Sequence, residues 1–132
     1  MNLKPSHLIL EDEPAGVIRI EVRGFFDLPT LKDHFGKLRG IVQQWRAQAR
    51  PVRALANTVQ LMPHSPEGQE YVVASHASIY RSGDKVAVLV SSSLVKMQMR
   101  RAFNNQDVME FFISENAALT WLGAPAASST ST

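Results

Sequence analysis

Cysteine is missing altogether. Disulfides and thiolate metal sites are thereby excluded, and the chain suits a reducing cytoplasm, its expected location. Long apolar runs are missing too. No segment approaches the ~20 residues of a bilayer-crossing helix, and residues 1–6 carry one lysine with no apolar stretch behind them, so no signal peptide is expected. An excess of one charge sign is also lacking: fourteen basic residues against twelve acidic leave +2. A balance that mild draws nucleic acid or a membrane only through local clustering. The Gly-rich phosphate loop, the dinucleotide fingerprint and the G-x-S-x-G elbow are all absent, so no cofactor and no serine nucleophile are expected.

The remaining chemistry-bearing residues are dispersed. His7, His34, His64 and His76 include no pair at the spacing of a helical metal site, and no acidic cluster joins them, so no metal is expected. His76 should lie at the border of a helix's buried face, partnered by backbone or water, and His34 reads as a boundary residue on the edge of the long helix's apolar stripe. Asp27, Asp33, Asp84 and Asp107 sit near expected caps and turns, where aspartate has structural work. No catalytic residue is identified, and the chain is not expected to be an enzyme.

What is present is a regular alternation of periods. At 132 residues and 45% apolar content the chain is long enough for one ordinary core, expected over residues 1–123. Residues 8–10 and 17–22 read as a hairpin around Glu13-Pro14-Ala15-Gly16, with Ile18, Ile20 and Val22 alternating with charged neighbours. Leu31, Phe35, Leu38, Ile41, Val42, Trp45 and Ala49 then mark one face of a helix over 31–50. Asp27 or Thr30 is its cap, Thr30 with Asp33 resembles a capping box, and Pro51 is its stop. Gly36 and Gly40 fall on the opposite face and read as tolerated surface glycines. A strand over 52–59, a helix over 68–80 and a continuously apolar strand over 86–90 follow. A helix over 93–103 is capped by Ser91-Ser92-Ser93 and broken at Asn104-Asn105; a strand over 108–113 and a helix over 117–122 close the domain. The tail over 124–132 is small and polar and is expected to be mobile. The order ββαβαβαβα predicts an α/β fold: a single, mainly parallel five-stranded sheet with one antiparallel N-terminal strand.

The run Lys85-Val-Ala-Val-Leu-Val, the capped helix over 93–103, and the strand over 108–113 before Glu115-Asn-Ala-Ala-Leu-Thr-Trp-Leu resemble the C-terminal half of SpoIIAA-like (STAS/Sec14-type) domains. The upstream hairpin, long helix and third strand fit the same plan, so the resemblance spans residues 8–123. It implies a non-catalytic binding or regulatory module that works through a protein partner or a homodimer. A related branch implies a carrier, or a peripheral membrane binder, for an apolar, anionic, lipid-like molecule. Some relatives are switched by serine phosphorylation after the third strand. In this chain Asn57 stands where their pattern has Asp, and Ser65-Pro66-Glu67-Gly68 replaces the Asp-Ser-Ser/Thr-Gly turn. Aligned on Gly68 the acceptor becomes Pro66; only a one-residue shift brings Ser65 into place.

Two helices carry surface signals. On the helix over 93–103, Val95, Met99, Ala102 and Phe103 form the core side, while Leu94 and Met97 lie apart from them beside Arg101. Such residues either cover a ligand or partner or pack under a neighbouring loop; packing is the commoner outcome and the expectation here. On the long helix Lys32, Arg39, Arg46 and Arg50 line one edge, expected to be a solvated stripe. No aromatics interleave with it, so nucleic acid is not an expected partner. Ligands of open α/β sheets sit outside the carboxyl ends of the strands. That places a candidate ligand site at Asn57, Met62, Ser91, Ser92, Ser93, Leu94, Met97 and Arg101, with an anionic group at the helix N-terminus.

Overall fold

The computed structural model describes residues 4–103 and 107–123. The helix break at Asn104-Asn105 and the tail over 124–132 lie outside these residues. The chain runs β1 (Ser6–Asp12), β2 (Val17–Gly24), α1 (Leu28–Ala47), β3 (Arg53–Leu61), α2 (Pro66–Ile79), β4 (Lys85–Leu89), α3 (Ser93–Ala102), β5 (Met109–Phe112) and α4 (Glu115–Leu122). All nine expected elements are present in the expected order. The five strands form one sheet in sequence order, β1 antiparallel to β2 and the rest parallel.

Strand parity divides the core. Ile18, Ile20, Ala54, Ala56, Val86, Val88 and Phe111 point to the face covered by α1, α2 and α3. Val17, Leu55, Ala87 and Leu89 point to the other, where Ala118 and Leu122 of α4 cover them. This is why β4, buried on both faces, reads as an unbroken apolar run. The sheet's two layers are unequal: α4 packs over β3, β4 and β5, whereas Leu8 and Leu10 on β1 stay half exposed.

The corrections concern ends and partners. α1 starts three residues earlier than the periodicity predicts, because Asp27 is the cap: its Oδ1 accepts from Thr30 N–H at 2.9 Å and from the Thr30 hydroxyl at 2.6 Å. The Thr30–Asp33 capping box is not formed; Asp33 instead faces Lys37 at 3.3 Å and His7 at 3.4 Å. The helix ends at Ala47 rather than Arg50. Ala49 takes a left-handed φ of 57°, the Arg50 N–H returns to the Trp45 carbonyl at 2.9 Å, and the Arg50 guanidinium lies 3.7 Å over the Trp45 ring. The arginine edge is no solvated stripe. Arg39 donates to Ser78 Oγ at 2.9 Å, Arg50 to Glu13 at 2.9 Å, and Arg46 closes on the buried Asp84 with two hydrogen bonds of 2.9 and 2.7 Å. These partners come from α2, the hairpin turn and the α2–β4 turn, so helical spacing alone does not reveal them.

Candidate functional site

The carboxyl ends of β3, β4 and β5 converge at one rim, and α3 leaves it. Ser92 is the cap of α3: its hydroxyl oxygen accepts from Val95 N–H at 3.2 Å. The neighbouring Ser91 and Ser93 are exposed. The helix end is therefore occupied in part by its own chain. Asn57 turns its side-chain oxygen to Val59 N–H at 3.1 Å, and Met62 ties its N–H to the Gly24 carbonyl at 2.9 Å. Ser65 caps α2, accepting from Gly68 N–H at 3.0 Å. A Cβ on Gly68 would meet Ser65 Oγ at 3.2 Å and Leu31 Cδ1 at 3.3 Å, which is why glycine stands there.

The packing expected of Leu94 and Met97 does not occur. They are 64% and 54% exposed, and no residue of α3 is fully buried. α3 packs on the apolar core through Val95, Met99 and Ala102, each partly buried. Leu94, Met97 and Arg101 fall at i, i+3 and i+7, one stripe facing away from the core. Arg101 is exposed, with no carboxylate partner among the described residues. Its neighbour Arg100 is engaged, holding Glu110 Oε2 at 2.8 and 3.0 Å. Burial pushes the Glu110 carboxyl up, but the Phe111 N–H and Arg100 outweigh it and hold the group below its ordinary range. Ile113, 52% exposed, follows β5 with the parity of Met109 and Phe111 and so adds an apolar side chain on the α3 side of the rim.

Beneath α1, α2 and α3 lies a second feature, which the sequence did not reveal: a narrow apolar cavity of about 70 Å³, lined along the sheet by Ala56, Thr58, Val86 and Val88. His64, His76 and Tyr80 also line it, and the Nδ1 atoms of both histidines and the Tyr80 hydroxyl are buried with no hydrogen-bond partner among the described residues. Among the described residues, no backbone group partners His76 Nδ1. Its ring sits among Phe35, Tyr80 and Phe103 at centroid distances of 5.4, 5.6 and 5.4 Å. Burial holds His76 neutral, its pKa lowered to about 4, and pushes the Tyr80 phenol up. His34 is buried rather than at a border, and desolvation, then the neighbouring His7, lower it to about 4 as well. The Nδ1 atoms of His7 and His34 are 3.3 Å apart, yet among the described residues no group of three or more His, Asp or Glu side chains is placed to hold a metal. Met62, Ser91, Ser92, Ser93, Leu94, Met97 and Arg101 do not line the cavity. Asn57 borders a separate shallow depression with Glu21, Arg23 and Val59. The predicted site residues are therefore split between a rim, a helix face and this depression.

The sheet order and the placement of helices are shared with solved structures. A crystal structure of an uncharacterised protein of the DUF3478 family with a SpoIIAA-like fold, from Shewanella loihica PV-4, superposes with a TM-score of 0.66 at 17% identity, covering 89% of this chain and 93% of that one. This chain has a SpoIIAA-like fold. An anti-sigma factor antagonist from Mycobacterium paratuberculosis shows the same SpoIIAA-like arrangement with a TM-score of 0.54 at 14% identity, over 91% of this chain and 95% of that one. No protein-family model matches the sequence, and no curated protein does. Within the described residues of the domain, no helix is long and apolar enough to cross a membrane.

Proposed function

We propose that this SpoIIAA-like domain is a non-catalytic regulatory module whose α3 face docks a protein partner. The observation that carries the reading is the outward stripe of Leu94, Met97 and Arg101 on a helix with no fully buried residue. Methionine and arginine are enriched at protein interfaces, and an apolar pair beside an unpaired guanidinium is the composition of an interface centre. The likeness to an anti-sigma factor antagonist, a protein that acts in regulation, supports the same reading.

A double variant, Leu94→Asp with Met97→Asp, tests it. Both side chains are more than half exposed, so the thermal midpoint should move by no more than ordinary surface substitutions do, within about 0.5 kcal/mol. A photo-crosslinking residue at position 98, on the same helix, should capture a defined partner in native extract from the wild type, and the double variant should lose it. Identical capture by both would overturn the reading.

A second reading is favoured by the three orphaned polar atoms: a carrier of an apolar, anionic, lipid-like molecule. The cavity of about 70 Å³ is well below the ~300 Å³ of ordinary ligand sites. An open groove of about 390 Å³ lies directly outside it, however, sharing His76, Tyr80, Phe103 and Met109 with the cavity wall. Native mass spectrometry of freshly purified protein separates the two readings, since a carrier retains added mass and a docking module does not.

A further inference from the structure

β1 forms one border of the sheet and has β2 as its strand neighbour, so among the described residues no strand pairs with its outer edge. Such an edge is a template for pairing, and proteins blunt it with charge, proline or a cover. Here the first five residues of β1, Ser6-His7-Leu8-Ile9-Leu10, contain no Lys, Arg, Asp, Glu or Pro, and its acidic residues, Glu11 and Asp12, stand together at its end. Leu8 and Leu10 are 51% and 50% exposed. Beside the edge runs an open groove of about 520 Å³, bounded by His7, Leu8 and Ile9 on one side and by Gly36, Lys37, Gly40, Ile41 and Gln44 of α1 on the other. A Cβ at either glycine would meet nothing within 4 Å. The two glycines relieve no contact inside the fold; they widen the groove.

The strand is complementary to itself. Laid antiparallel on a copy with Ile9 on the two-fold axis, β1 sets Ile9 opposite Ile9, Leu8 opposite Leu10, His7 opposite Glu11 and Ser6 opposite Asp12 of the second copy. Each pair is apolar on apolar or a hydrogen-bond donor on a carboxylate, the combinations that stabilise directly opposed strand residues. Faces match as well. Ile9 packs against the α1-side core and Glu11 accepts from Trp45 Nε1 at 2.6 Å, while Leu8 and Leu10 alternate onto the far face. The same symmetry brings the two α1 helices side by side above the joint, with the glycine positions of one toward those of the other, where missing side chains allow close approach.

We propose that the chain forms a two-fold homodimer through antiparallel β1–β1 pairing, giving one continuous ten-strand sheet. The occupant of the groove is a second copy, because the register that satisfies Leu8, Ile9, Leu10 and Glu11 together is written in β1 itself. This surface is separate from α3, so the dimer and the partner-docking reading stand or fall independently.

The absence of native cysteine gives a direct test. Ile9→Cys puts one thiol on the axis, where opposed Cα atoms of an antiparallel pair are ~4.5–5.5 Å apart, within the ~4.4–6.8 Å span of a disulfide. Mild oxidation should convert most of this variant to a covalent dimer, while Glu67→Cys, exposed on α2, should remain a monomer. By light scattering the wild type should have twice the 14.6 kDa chain mass, and Leu8→Lys with Leu10→Lys should have the single mass with unchanged circular dichroism. Gly40→Gln guards against trivial unfolding. Glycine within a helix costs about 1 kcal/mol relative to good helix formers, so this variant should retain or raise its melting temperature yet lose the dimer as its side chain enters the groove. A monomeric wild type, a dimer indifferent to the two lysines, or cross-linking no faster at position 9 than at 67 would each overturn the proposal.

Discussion

Replacing Asp84 with alanine is expected to lower the unfolding free energy by about 3–5 kcal/mol, the usual result of stranding one partner of a buried pair. The carboxylate is 5% exposed. It takes a two-pronged contact from Arg46 at 2.9 and 2.7 Å and also accepts from the Arg81 N–H at 2.9 Å, closing the turn at Gly83, whose φ is 99°. Arg46 further donates to the Ile79 carbonyl at 2.8 Å, so a single guanidinium ties α1 to the end of α2 and to the start of β4. Its own pKa is raised, chiefly by the hydrogen bonds it donates to Asp84. Domains of this kind are stable by only ~5–15 kcal/mol, so the loss takes a large share of the margin. Urea denaturation measures it directly. Arg46→Met with Asp84→Leu removes both charges and should recover much of the loss. An Asp84→Ala midpoint close to wild type would refute the coupling.

Acid should unfold the domain well before its carboxylates titrate. His34 and His76 have folded pKa values of about 4 against the ordinary 6.5. The folded chain keeps both neutral, whereas the unfolded chain takes up protons near 6.5. Stability is therefore complete above pH 6.5 and is lost as pH falls toward 4, each histidine removing up to about 3 kcal/mol over that window. The groups around them do not reverse the sign: desolvation, His7 and Lys37 oppose the charging of His34 and together outweigh the attraction of Asp33, and His34 opposes that of His76. Asp12 and Asp27 have lowered values and act in a separate window, below the ordinary carboxylate range. Denaturation curves between pH 7 and pH 4.5 should fall steadily. His76→Phe, which removes a buried nitrogen with no partner among the described residues, should be at least as stable at pH 7 and should reduce the slope by less than half, because His34 and the likewise desolvated His64 still resist charging. A flat wild-type profile across this range would sink the argument.

How far the sequence could be read depended on the range of the interactions involved. The nine elements were legible because each is written in a local period, the α1 stripe from Leu31 to Trp45 and the unbroken run of β4 above all. Three caps were legible in kind, since Asp27, Ser92 and Ser114 each accept from an N–H three residues on, whereas Ser65 read as a loop serine and proves to cap α2. Their exact positions were less so, because several adjacent residues are chemically able to cap. The candidate rim was legible as a place, from the winding of the sheet, and much less so as a set of contacts. Leu94 and Met97 are exposed where packing was the expectation: helical periodicity shows that they leave the core face, and only the neighbours in space decide what, if anything, covers them.

The sequence by itself determined an α/β domain with a parallel sheet, which residues face its core, and the lack of disulfides, because these follow from composition and short-range periodicity. Only the tertiary structure decided that the arginine edge of α1 is held by Asp84, Ser78 and Glu13, that three polar atoms line an apolar cavity unpaired, and that β1 has an open edge beside a glycine groove. Each of these joins residues distant in the chain, and such pairings depend on how the elements pack rather than on the order in which they are written.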